Sequence, residues 1–163
     1  MSVPNYLSAV EFKLVIDRLP NVEFYVQRAN VPGISSGFAI VNTPFKNIYQ
    51  PGDKVEFDDF SIDVVVDENM SAYIETWSWL VSLTRSEGFD VYDKLNSSDE
   101  GIYSDATLFI MSNGKNPNIK IKFKDMFPTS LSEIALDTTA GDVEPPTSTM
   151  TFKYLSYEID IVS

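Results

Sequence analysis

Apolar and polar positions alternate with a period of two along much of this chain. In VEFKLVID, Phe12, Leu14 and Ile16 share one side while Glu11, Lys13 and Asp17 share the other, the pattern of a strand with one buried face. After Leu19, Pro20 and Asn21, VEFYVQRA sets Val22, Phe24 and Val26 against Glu23, Tyr25 and Gln27, so the two segments predict a β-hairpin over a core. Pro32-Gly33 in NVPGIS is a type II turn signal. Later, Phe60, Ile62, Val64 and Val66 alternate with Ser61, Asp63 and Asp67, which makes one face of that strand core and the other acidic and wet. The period then becomes helical in ENMSAYIETWSWLVSLTRSEG, where Tyr73, Trp77, Leu80 and Thr84 line up beside Ile74 and Val81. Ser71 is the expected N-cap and Gly88 the expected C′ residue. Trp77 and Trp79 are expected to pack, as large aromatics usually do.

In the second half, ATLFIMSN reads as a strand, GKNPN as a turn, and IKIKFK as a strand whose Ile119, Ile121 and Phe123 oppose Lys120, Lys122 and Lys124. Phe89 to Asp105, acidic and Ser/Asn-rich, predicts a loop, and DMFPTSLSEIALD a short irregular crossover. In TMTFKYLSYEIDIV the apolar phase changes: Met150, Phe152 and Tyr154 are even, whereas Leu155, Tyr157, Ile159 and Ile161 are odd. A bulge or bend near Tyr154 and Leu155 accounts for that switch. The expected fold is mainly β, a sandwich or barrel of about seven or eight strands with one principal α-helix. The 163 residues suit a single domain, 1–163.

One segment breaks the alternation. FAIVNTPFKNIY holds Pro44, which cannot donate to a central ladder, and it leads into the turn Pro51-Gly52-Asp53. This predicts a protruding arm or hairpin around 38–57. Ile40, Val41, Phe45, Ile48 and Tyr49 on it would expose apolar area on a monomer, the mark of an interaction surface. The arm and its turn, Pro51, Gly52 and Asp53, are therefore the candidate intersubunit contact.

Charge and composition narrow the chemistry. There are 24 acidic residues against 12 basic ones, a net charge of -12, which disfavours a phosphate-neutralising nucleic-acid binder. The chain has no Cys and no His, so disulfides, thiolate nucleophiles, the usual general base and Cys/His metal sites are excluded. No Gly-rich phosphate loop or GxSxG elbow occurs, and no cofactor is expected. No apolar run is long enough to span a membrane and MSVPNYLSAVEF lacks the marks of a secretory signal, which predicts a protein kept in the cytosol of the cell that makes it. The stretch PGDKVEFDDFSIDVVVDENM carries seven acids and one lysine. Read as a catalytic carboxylate pair or a calcium site it is poor, because adjacent strand residues such as Asp58 and Asp59 face opposite sides. A solvated acidic face fits better. Lys120, Lys122 and Lys124 fit two readings equally, as guards of a sheet edge or as partners of that acidic strand within or between subunits.

The order of these pieces resembles the tail tube proteins of contractile-tailed bacteriophages. The strand pair EFKLVID and VEFYVQRA, then NVPGI, an arm ending in PGDKVEFDDFSIDVVVDE, a helix with WSWL, IKIKFKDMFPTSLSEIALD and a terminal TMTFKYLSYEIDIV follow one another over nearly the whole chain. The longer acidic excursion from Phe89 to Asp105 departs from the pattern. The resemblance implies a structural, non-catalytic virion subunit that forms hexameric rings stacked into a tube for DNA passage during ejection, assembled in the host bacterial cytoplasm. It implies as partners further copies of itself, the tail sheath protein, baseplate tube-initiating and tail terminator proteins, the tape measure protein, and DNA transiently in the lumen, with no membrane. Asp58, Asp63 and Asp67 become the candidate acidic lumen face, and Lys120, Lys122 and Lys124 the candidate charge-complementary face. Tube proteins of type VI secretion and other contractile injection systems, and terminator or initiator proteins, share the expected fold. A carbohydrate-binding β-sandwich is the alternative from a different class, and it requires an exposed Trp77 or Trp79 and a monomer.

Overall fold

Leu14 and Ile16 are fully buried on the strand β1, Phe12–Ile16, whose partner is β6, Ser104–Met111, in antiparallel register Leu14↔Leu108 and Ile16↔Ala106. The computed structural model describes residues 4–84, 88–98 and 101–162. The hairpin expected between 10–17 and 22–29 does not form. Leu19 and Val22, three apart and both buried, fold the chain into a short helical turn α1, Val22–Tyr25, and a strand β2, Val26–Ala29, follows. That strand pairs with β5, Phe60–Val65, at the opposite end of the strand order from β1.

Seven strands make a continuous antiparallel arrangement in the order β1-β6-β7-β8-β5-β2, with β9 added on β7. The hinge is β7, Pro117–Leu131, which runs straight through the segment expected as an irregular crossover. Its first half pairs with β6 and with β9, Ser156–Ile161. Its second half pairs with β8, Thr147–Lys153. The buried positions change from Ile121 and Phe123 to Met126 and Pro128 across a bulge at Lys124 and Asp125, where Asp125 has φ 53°. The final strand bends at the same level: Tyr154 and Leu155 separate β8 from β9, and the Leu155 N–H donates to the Lys124 carbonyl at 2.9 Å. Both phase switches are one corner, at which two neighbouring strands pass together from one sheet to the other.

The core lies between these sheets. Phe60 packs on Phe123 with ring centroids 4.5 Å apart and on Phe152 at 6.3 Å. All three are fully buried, and each such side chain stabilises the fold by about 1.5–3 kcal/mol relative to exposure. The helix α2, Ser71–Thr84, covers this cluster with Ala72, Thr76 and Trp79, one residue, or about 100° of rotation, round from the expected face of Tyr73, Trp77 and Leu80. The helix is apolar around most of its girth, so its periodicity does not choose a side; the Trp79 ring against Phe152 at 6.4 Å and Thr76 over Met150 do. Its cap is Asp67 rather than Ser71: the carboxylate accepts the Ser71 N–H at 2.7 Å and the Ser71 hydroxyl at 3.1 Å. The expected helix end just before Gly88 falls on 85–87, outside the described residues. The stretch expected as a loop contains a helix α3, Phe89–Asn96; Phe89, Tyr92 and Leu95 recur at helical spacing, and the acidic, Ser/Asn-rich residues that follow mask that signal. Of the two tryptophans, Trp79 is buried and its indole N–H donates to the Ile102 carbonyl at 3.2 Å, whereas Trp77 is 48% exposed.

Candidate assembly surface

Residues 34–57 leave the body as a two-stranded antiparallel hairpin, β3, Ile34–Asn42, and β4, Asn47–Phe57, which pair with each other and with no other strand. The hairpin therefore starts earlier than the alternation break at 38 suggests. Its register, Phe38↔Pro51, Ala39↔Gln50, Ile40↔Tyr49 and Val41↔Ile48, puts Phe38, Ile40, Tyr49 and Pro51 on one face and Val41 and Ile48 on the other. The Phe38 and Tyr49 rings meet edge to face at 5.5 Å. Among the described residues nothing covers either face: every residue of β3, and every residue of β4 before Phe57, is exposed. Isolated two-stranded ribbons are marginal in water, and one that is apolar on both sides is suited to being sandwiched.

Two local devices hold the hairpin's shape. At its tip, Thr43 and Lys46 close a tight loop over Pro44 and Phe45: the Thr43 hydroxyl donates to the Lys46 carbonyl at 2.5 Å and accepts the Lys46 N–H at 3.2 Å. Phe45 is thereby displayed outward, 97% exposed. Midway, the register slips between Ser36 and Phe38, and Gly52 crosses against Gly37 so closely that a Cβ on Gly52 would lie 2.6 Å from the Gly37 carbonyl carbon. Asp53 follows Gly52 in this bulge.

The acidic trio is not brought together. Asp58 lies in the turn between β4 and β5, with its N–H donating to the Gly33 carbonyl at 3.0 Å and its own carbonyl accepting the Tyr154 hydroxyl at 2.7 Å. Asp63 lies on the outer face of β5, accepting the Thr149 hydroxyl at 2.7 Å beside Arg28 at 3.4 Å. Asp67 caps α2. The three carboxylates thus sit in a turn, on a strand face and at a helix cap, and Asp59 pairs with Lys153 at 3.0 Å.

The lysine row also finds its partners within the chain, on β9 rather than on the acidic strand. Lys122 reaches Asp160 at 3.5 Å and Lys124 reaches Glu158 at 2.8 Å, diagonally across the β7–β9 ladder, while Lys120 lies over the Phe109 ring at 5.7 Å. The Glu158 hydrogen bond and charge hold the Lys124 ammonium above its usual value. Tyr154, between the Phe57, Phe123 and Tyr157 rings, is pushed up to about 12 by burial, with Tyr157, Asp58 and Asp59 adding to it.

Sequence reasoning missed several exposed apolar residues. Ile34, Phe38 and Val55 belong to the hairpin, and Ile159 and Ile161 on β9 point to the core side of the sheet beyond the reach of the core, 58% and 78% exposed. The signal for the last two was present: an apolar alternation that continues to the end of the chain with nothing left to cover it. Among the described residues, strands β1 and β9 each pair with one strand, which leaves both lateral edges of the β1-β6-β7-β9 sheet open. Among the described residues there is no group of three or more acidic side chains placed to hold a metal ion.

No family model matches the sequence, and no curated protein matches it. Solved structures do match in fold. A chain of the anti-feeding prophage tube terminating cap is similar with TM-score 0.70 at 13% identity, covering 99% of this chain and 95% of that one. A chain of the anti-feeding prophage baseplate gives TM-score 0.67 at 13% identity, covering 98% and 97%. A chain of the PVC sheath-tube complex, an extracellular contractile injection system in its extended state, gives 0.65 at 14% identity, covering 98% and 95%. This is the fold expected from the resemblance to tail tube proteins.

Proposed function

We propose that the chain is the repeating subunit of the tube of a contractile machine, a structural protein without catalytic activity. Copies close into rings through the open edges of β1 and β9, since edge-to-edge pairing in a closed ring leaves no edge free. Rings stack through the 34–57 hairpin. The observation that carries this reading is that hairpin, apolar on both faces and uncovered in the single chain, because burying such surface against further copies is favourable and leaving it wet is not.

In a contractile-tailed bacteriophage the rings are hexamers of the virion tail tube, assembled in the host cytoplasm and conducting DNA during ejection. The partners are the sheath, the baseplate tube initiator, the terminator and the tape measure protein. A subunit charge of -12 makes the wall of such a tube repel a polyanion, so that DNA slides without sticking; Asp58, Asp63 and Asp67 remain the residues assigned to the lumen in this reading. The second reading, a tube or terminator subunit of an extracellular contractile injection system, is favoured by the solved structures of similar fold. It differs in cargo, not in subunit chemistry.

Light scattering on the full chain and on a variant with 38–51 replaced by a short turn tests the assembly. The wild-type chain is expected at multiples of one ring mass and the shortened variant at no more than one ring. Identical mass distributions for the two overturn the role of the hairpin.

A further inference from the structure

A groove of about 330 Å³ lies between the segment that follows β5 and the long connection from β7 to β8. Its floor and walls are Val66, Met70, Ile134, Leu136 and Pro146, and the Val66 N–H donating to the Pro146 carbonyl at 2.9 Å ties the two sides together. Leu136 stands on its lip, 88% exposed. Asp67 and Glu68 line the rim, and no basic residue does. The connection adds Glu133, Asp137, Asp142 and Glu144 without one Lys or Arg between 132 and 146.

This chain itself carries the complement of that groove. The hairpin tip presents a nearly fully exposed aromatic ring, Phe45, with Lys46 next to it, on a loop already closed by Thr43. An apolar anchor beside a cation matches an apolar trough beside carboxylates, and pre-closing the loop lowers the entropy lost on docking. Two other apolar grooves lack the charge. One is lined by Leu7, Phe12, Val31 and Ile110 among others, the second by Leu83, Tyr92, Tyr103 and Phe127 among others, and neither has a charged side chain in its lining.

Resting on the assembly reading above, we infer that the hairpin tip of one copy seats Phe45 in the 66–70/134–146 groove of a second copy, with Lys46 against Glu68. The hairpin becomes a directional connector: tip and groove are different surfaces, so each copy offers one and receives one, which propagates contacts rather than closing a dimer.

Because the chain has no cysteine, paired cysteines test this cleanly. Pro44→Cys, beside the anchor ring, is combined in turn with Leu136→Cys, with Tyr103→Cys and with Leu7→Cys, all at exposed positions, and oxidised in the assembled protein with Phe45 intact; Pro44→Cys alone is the control for tip-to-tip dimers. The expected result is a ladder of covalent multimers beyond the dimer for Leu136→Cys and for neither other pair. A ladder from Tyr103→Cys or Leu7→Cys, or no ladder from any pair while the protein still forms rings or tubes, overturns the groove assignment and leaves the assembly reading intact. No ladder from a protein monomeric at every concentration overturns both. As an independent check, Lys46→Glu is expected to raise the concentration needed for assembly about tenfold, and Lys46→Glu with Glu68→Lys to restore it; no restoration counts against the pairing.

Discussion

Gly52 lies against the carbonyl group of Gly37 with no room for a Cβ between them. This contact sets the slip in register at the middle of the hairpin, and hence the direction in which the outer half of the arm points. Gly52→Ala forces that carbonyl to move. Because the hairpin packs on little of the body, the melting temperature is expected to fall by less than about 2–4 °C, the equivalent of about 1 kcal/mol in a domain of this size. Assembly, read by light scattering, is expected to be lost.

The tryptophans separate the structural reading from a carbohydrate-binding one. Trp79→Ala removes a buried ring from Phe152 and leaves the Ile102 carbonyl without its donor, and the expected cost is about 3–5 kcal/mol in urea unfolding. Trp77→Ala is expected to change stability by no more than about 0.5 kcal/mol. Soluble oligosaccharides are expected to leave Trp fluorescence unchanged in the wild-type chain. A saturable change lost with Trp77→Ala would support the binding-module alternative.

The β9 residues that overhang the core test ring closure. Ile159→Lys with Ile161→Lys substitutes side chains that are already largely exposed, so circular dichroism and the melting temperature of the monomer are expected to hold. Ring formation is expected to fail, because these residues sit on an open edge where a neighbouring copy would join.

With no histidine, stability is expected to be flat between about pH 5.5 and 8.5. Outside that window the signs follow from the shifted groups. Thr139 hydrogen bonds hold the Asp137 carboxyl below its usual value, so its contribution is present above pH 4 or so and is lost as pH falls through the lower folded value. Lys124 is raised and Tyr154 reaches about 12. Their contributions are present below the unfolded values, about 10.4 for Lys and 10 for Tyr, and are lost as pH rises through the folded ones. Absorbance titration at alkaline pH checks this, since one tyrosine is expected to ionise well after the exposed ones.

The strand content was legible because Leu14, Ile62, Leu108 and Phe123 each sit in a strict alternation against polar neighbours. The corner at Lys124, Asp125 and Leu155 was half legible: the phase change in the final strand showed, while the matching change in β7 read as irregular structure because Pro128 disguised it. Strand partners were not legible at all. The pairing of β1 with β6 joins segments some ninety residues apart, and local pattern carries no information about it. The face of α2 was hidden by a helix apolar on most sides. The assembly surface was visible as a break in alternation around Pro44, but the Gly37 and Gly52 contact and the acid-rimmed groove need the fold to bring distant residues together.

The central claim is that this chain assembles with itself into a tube. Negative-stain electron microscopy of the purified protein across a concentration series, with and without preformed fragments as seeds, tests it most directly. Rings and smooth hollow tubes of constant width are the predicted result. A protein that stays a dispersed monomer at the highest concentration, seeded or not, would contradict it.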